Sequence, residues 1–164
     1  MRGTLLLRLV VAAAVGAALL ILVAPAEPPS RLGLPAATLA GIATGLVLYV
    51  AVARRRPYVP PRVPAALAAC FVLVVAAGSE EVVWRRVVLG ELLRAGPLAA
   101  AAGSTLGFAL FHRTRQTLHL GTGATFAGLY LATGALAAAI AAHWAYNVLL
   151  LTLAERSARL EAPA

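Results

Sequence analysis

Six residues that carry a charge, a titratable ring or a carboxamide interrupt stretches of sequence that are otherwise apolar: Glu80, Glu81, Arg85, His112, His143 and Asn147. A charge at the centre of a bilayer costs about 2.5–3.5 kcal/mol on insertion scales. Residues of this kind in apolar runs must therefore pair, line a wet cavity or neutralise. Their spacing separates their roles. In a helix Glu81 and Arg85 are i,i+4 neighbours with the glutamate on the N-terminal side, the better order for an ion pair. Glu80 points roughly 100° away from Glu81, so the second glutamate can be held by arginine while the first stays free. Trp84 follows Glu80 by one helical turn and shares its face, where an aromatic wall desolvates the carboxyl. Glu80 is the candidate general base, and the Glu81–Arg85 pair is the candidate brace for its helix.

His143 and Asn147 are again i,i+4, so one helix face offers an imidazole and an amide together. Such a pair can direct two hydrogen bonds at one oxygen, as an oxyanion site requires. His112 closes an apolar run and can share a water with Glu80. Each pattern also has a structural reading. Glu81–Arg85 can be a tie and nothing more, His112 a histidine at a helix end, and His143–Asn147 interhelical glue. His119, between Arg115 and Gly121, reads as a solvated loop histidine. Tyr49, Tyr58 and Tyr130 read as interface or packing aromatics, and Cys70, the single cysteine, as a packing residue with no intramolecular disulfide open to it.

The elements that must position these groups are membrane helices. The chain of 164 residues is 62% hydrophobic and 12% charged, against roughly 25% charged in a soluble domain, and its mean hydropathy is +0.89. So little polar surface cannot cover a globule in water. All fourteen basic residues are arginine, and they sit at the ends of apolar runs. The net charge of +8 is therefore a topology signal, and nucleic acid is not expected as a partner. The apolar runs cover 5–24, 32–53, 64–77 continuing into 78–86, 97–111, the short 120–131, and 135–154. The expected fold is an all-α polytopic bundle of about six hydrophobic helices, some short or re-entrant, forming one membrane domain over 1–164. The stretch 54–64 carries four arginines and four prolines, which places it and the N-terminus on the cytoplasmic side. Thr133-Gly134 reads as a break, and 155–164 as a polar surface tail.

In chain order, Glu80-Glu81-x-x-x-Arg85, Phe108-x-x-x-His112 and His143-x-x-x-Asn147 resemble the three motifs of the CPBP family. These are the CAAX-processing type II and bacteriocin-processing, abortive-infection-like intramembrane proteases. The resemblance covers about 64–153, and Thr133-Gly134-Ala135-Leu136 is similar to the family's usual approach to its last motif. It implies that Glu80 and His112 activate water and that His143 and Asn147 stabilise the oxyanion. It further implies that Glu81 and Arg85 support the site and that Phe108 packs beside His112. Trp84 stands where phenylalanine is common, and Arg86 where glycine is frequent. The family is often labelled metal-dependent, and Glu80, His112 and His143 are three conceivable zinc ligands. No HExxH motif is present, and a metal-free Glu–His pair is the favoured expectation. The implied substrate is a membrane-anchored or lipidated protein (CAAX-type, bacteriocin-type or a C-terminal sorting tail) in a bacterial inner membrane. The rivals are a non-catalytic scaffold or immunity protein and a small proton-coupled carrier.

Overall fold

The computed structural model describes residues 2–53 and 63–160, with side chains described over 7–52 and 67–151. All regular structure among these residues is helical. Helix α1 is Arg2–Leu22, α2 is Leu34–Ala53 and α3 is Val63–Glu81. Without a break α3 continues through a π-helical stretch, Val82–Leu89, then Gly90–Leu92, and ends in a 3-10 turn, Leu93–Ala95. Helix α4 is Pro97–Phe111, α5 is Gln116–Thr133 and α6 is Leu136–Leu160. Two segments, Leu34–Val52 and Leu67–Ala95, are long and apolar enough to cross a bilayer. The arginine-rich stretch 54–62 and the tyrosine at 58 lie outside the described residues.

Helix starts and stops follow local chemistry. Pro35 falls in the first turn of α2 and Pro97 opens α4, positions where a missing N–H costs nothing. Gly134 ends α5 in the left-handed conformation (φ 65°), and its N–H closes on the Tyr130 carbonyl at 2.8 Å. The loop 25–31 is tied to this corner by Arg31 N–H donating to the Thr133 carbonyl at 2.9 Å.

The most extensive helix contact is between α2 and α6. Gly41 and Gly45, one turn apart on α2, meet the alanine face of α6; a Cβ at Gly45 would lie 2.5 Å from the Ala142 carbonyl oxygen. Small residues at this spacing let helix backbones approach closely where lipid supplies no hydrophobic drive. The core is filled by Leu89, Phe126, Tyr130 and the alanines of α4, α5 and α6. Tyr49 and Tyr130 are buried packing residues, and Cys70 packs with its carbonyl accepting Trp144 Nε1–H at 3.1 Å.

Three expectations change. The run that includes Glu80, read as 64–77 continuing into 78–86, is one element that reaches Ala95. The fifth helix begins at Gln116, four residues before the apolar run, because Arg115 adopts a left-handed conformation (φ 54°) and starts it there. His119 is therefore a first-turn helical residue and not part of a loop. The last helix continues to Leu160, so the first part of the polar tail is helical.

Candidate active site

Glu80 and Glu81 are the last two α-helical residues of α3, and the π-helical stretch begins one residue later. A π segment widens the turn by one residue and disturbs the i→i+4 ladder, and such segments occur often at functional sites. Here the Trp84 carbonyl accepts a hydrogen bond from the buried Ser104 hydroxyl of α4 at 2.6 Å. That bond fixes the π stretch against α4.

Glu81 faces inward. Its Oε2 lies 3.1 Å from Arg85 Nε, and both side chains are 0% exposed. Its Oε1 accepts the His143 Nδ1–H at 2.8 Å, across from α6. Arg85 donates from Nη2 to the Gly123 carbonyl of α5 at 3.0 Å, and its guanidinium carbon sits 4.8 Å from the Phe108 centroid and 5.8 Å from that of Phe126. The buried cation thus meets one carboxylate, one carbonyl and two aromatic faces, which together offset its desolvation. The ion pair read from the i,i+4 spacing is present, and it also reaches a third helix through His143. Phe126 stacks on the His143 ring at 4.8 Å and 20°, so that imidazole is held by a carboxylate and by a ring.

Glu80 faces outward. Its side chain is 36% exposed, that of His112 25%, and Glu80 Oε2 lies 3.8 Å from His112 Nε2. This separation exceeds a direct hydrogen bond, and Glu80 Oε2 is buried with no hydrogen-bond partner among the described residues. His112 follows the last residue of α4 in an extended conformation. Its N–H bonds the Ala109 carbonyl at 3.2 Å, which frees the Phe108 carbonyl, one of the orphan acceptors of a helix C-terminus. The His112 Nδ1–H takes that carbonyl at 2.8 Å. A carbonyl only accepts, so in the neutral ring Nε2 carries the lone pair that faces Glu80.

Trp84 and Glu80 line one cavity of about 510 Å³, closed on its far side by Leu7, Arg8, Val11 and Val15 of α1 and bordered by Phe111. Its lining does not include His112, His143 or Asn147. Arg86, also on the π stretch, donates from Nη1 to the Val23 carbonyl at 2.9 Å and pairs through Nε with Glu27 at 3.1 Å. It holds the C-terminal end of α1, the helix that walls this cavity.

Asn147 stands one turn after His143 on α6, half-buried, and its carboxamide makes no hydrogen bond among the described residues. Phe108 is the common neighbour of the site: its centroid lies 4.5 Å from His112, 5.7 Å from His119 and 6.1 Å from His143. Sequence reasoning missed His119, whose ring stacks on His112 at 4.0 Å and 21°. The signal was its seven-residue distance from His112 across a turn too short to separate them. Ser104 and Phe126 carried no signal of their own.

No three His, Cys, Asp or Glu side chains among the described residues are grouped to hold a metal ion. His112 and His143 each engage Nδ1 with an acceptor and leave Nε2 open. Glu80, His112 and His143 are not grouped as a set of three metal ligands among the described residues.

The class defined by these features is an all-helical chain with two adjacent carboxylates, one sealed against arginine and imidazole and one open beside a second imidazole. A protein-family model described as Type II CAAX prenyl endopeptidase Rce1-like matches residues 61–149, the segment that holds all of these groups except those of α1. The chain belongs to that family, whose members are membrane-embedded proteases. Searches of the curated proteins and of the solved structures each found no match.

Proposed function

We propose that the chain is an intramembrane endopeptidase that hydrolyses a peptide bond in a membrane-anchored or lipidated protein. The observation that carries the mechanism is the facing of two acceptors, Glu80 Oε2 and the lone pair of His112 Nε2, at 3.8 Å. Two acceptors repel unless a donor lies between them. A water at about 2.8 Å from both subtends roughly 85°, close to its own bond angle, and donates one hydrogen to each. Its free lone pair then points away from the protein toward a substrate carbonyl. On attack, the water's proton passes to the Glu80–His112 pair, the carbonyl π electrons move to oxygen, and the same proton later reaches the leaving nitrogen.

His143 and Asn147 are the oxyanion donors in this reading. Asn147 donates from its amide N–H in any state. His143 gives its Nδ1–H to Glu81, so its Nε2 can donate to the oxyanion only when that nitrogen also carries a proton. Glu81 thus orients the donor, and Arg85 holds Glu81. The chemistry is metal-free. The family description points to a prenylated C-terminal CAAX protein as the first substrate to test, with bacteriocin-type precursors and C-terminal sorting tails next. The setting is a bacterial inner membrane, crossed several times, with the N-terminus cytoplasmic.

The test uses the full chain in proteoliposomes with an internally quenched, farnesylated peptide ending in a CAAX sequence. Glu80→Gln and His112→Ala are expected to lower turnover roughly a hundred- to ten-thousandfold, with thermal unfolding unchanged. Full activity in Glu80→Gln ends the proposal.

A further inference from the structure

All three histidines of the chain border one phenylalanine, yet only two have a place in the mechanism above. The third, His119, lies in the first turn of α5, where its N–H closes on the Arg115 carbonyl at 3.1 Å. From there its ring lies flat on His112, 4.0 Å away at 21°, while Phe108 meets both rings at steep angles, 52° to His112 and 73° to His119.

Stacked imidazoles carry their N–H bonds and lone pairs in nearly parallel planes. Neither ring can hydrogen-bond the other, so His119 does not relay a proton from His112, and the two do not converge on one ion. The stack can fix a plane. His112 needs this, because its backbone is extended and beyond the end of α4 (φ −88°, ψ 106°), where no helical turn restrains the side chain. One hydrogen bond, Nδ1–H to the Phe108 carbonyl, leaves the ring free to swing about that axis, and the swing carries Nε2 toward or away from Glu80. With His119 against one face and the Phe111 ring 6.0 Å away at 80°, one plane is selected.

We infer that His119 is a positioning residue for the hydrolytic water: its flat contact holds the His112 ring in the plane that aims Nε2 at Glu80. This rests on the Glu80–His112 reading above. The contact requires a flat ring and not an ionisable one, so phenylalanine replaces histidine here and alanine does not.

The experiment combines turnover of the farnesylated, internally quenched peptide in proteoliposomes with 15N-histidine NMR of the full chain in phosphatidylcholine nanodiscs. Three histidines are few enough for each to be assigned by its own substitution. In the unsubstituted protein His112 is expected as a single Nδ1–H tautomer. His119→Ala is expected to average that signal and to lower kcat roughly ten- to a hundredfold with KM unchanged, the range a small misplacement of a reacting group produces. His119→Phe is expected to restore the tautomer and to return kcat to within about threefold. The inference is overturned if His119→Ala leaves the His112 signal and kcat as they were, or if His119→Phe is as impaired as His119→Ala. An active His112→Ala protein instead overturns the water-activating pair itself, so the two failures are separable.

Discussion

Replacing Glu81 with glutamine removes the carboxylate paired with the Arg85 guanidinium, which is 0% exposed, and leaves the half-exposed Glu80 as its nearest remaining counter-charge among the described residues. What Arg85 keeps is the Gly123 carbonyl at 3.0 Å and the faces of Phe108 and Phe126. Its Nη1 already has no hydrogen-bond partner among the described residues. Removing one member of a buried ion pair costs about 3–5 kcal/mol, because the remaining charge stays desolvated. Arg85→Met reverses the situation, leaving the carboxylate with His143 as its one remaining partner, and a loss of similar size is expected. If the effects were independent, the double variant would lose about 6–10 kcal/mol. It leaves no orphan charge, however, and methionine fills much of the same volume, so its loss is expected to be about 2–4 kcal/mol. The assay is SDS titration of the detergent-solubilised protein followed by tryptophan emission, since Trp84 adjoins the pair and Trp144 reports on α6. Additivity of the two single losses within about 0.5 kcal/mol would refute the coupling drawn here. The double variant has a second use. It is expected to be folded but slower by roughly a hundred- to a thousandfold, since the carboxamide at 81 holds the His143 Nδ1–H less firmly than a carboxylate and aims the oxyanion donor less well.

Ser104→Ala leaves the Trp84 carbonyl without its 2.6 Å donor inside the protein, and a loss of about 1–3 kcal/mol is expected in the same SDS titration. Gly45→Leu forces α2 off the alanine face of α6 and is expected to cost at least about 1–3 kcal/mol; unchanged stability would mean that the close approach of these helices is not required. Arg86→Met releases the last carbonyls of α1, and faster proteolysis in the loop 23–33 is the expected result. Chelators are expected to leave turnover unchanged; activity lost to a chelator and regained with zinc alone would defeat the metal-free mechanism.

Much of the site was legible because helix periodicity converts spacing directly into direction. Glu81 and Arg85 at i,i+4, and a free neighbouring Glu80, needed nothing beyond 3.6 residues per turn. The acceptor for His143 was not legible: spacing within one helix says nothing of a carboxylate on another, and the 2.8 Å bond to Glu81 depends on how α3 and α6 pack. His119 was misplaced because hydropathy marks the start of the apolar run and not the start of the helix. A left-handed Arg115 moves that start to Gln116, with threonine and histidine inside the first turns. The π stretch was equally hidden, since a run of valines, tryptophan and arginines reads the same in either ladder. The Gly41–Gly45 pair was visible as residues but acquired meaning only from the alanine face opposite.

The two adjacent glutamates explain why so short a chain can place ionised groups in an apolar setting at all. Neighbours on a helix differ in direction by about 100°, so one backbone position supplies a carboxylate to the interior and the next supplies one to the opening. The inner one could not stand alone: Arg85 neutralises it and His143 hydrogen-bonds it from a second direction. Once neutralised, it becomes a rigid acceptor that fixes the imidazole on α6 relative to α3. In the proposed mechanism the outer one has the opposite requirement, to stay free for water, and it lies 3.8 Å from His112, beyond a direct hydrogen bond. Exchanging the two roles would bury an unpaired carboxylate and solvate a paired one, losing on both counts. The order of environments along Glu80-Glu81 is therefore set by electrostatics before any substrate is considered, and in the proposed mechanism it puts the reacting water on the side of α1 and Trp84.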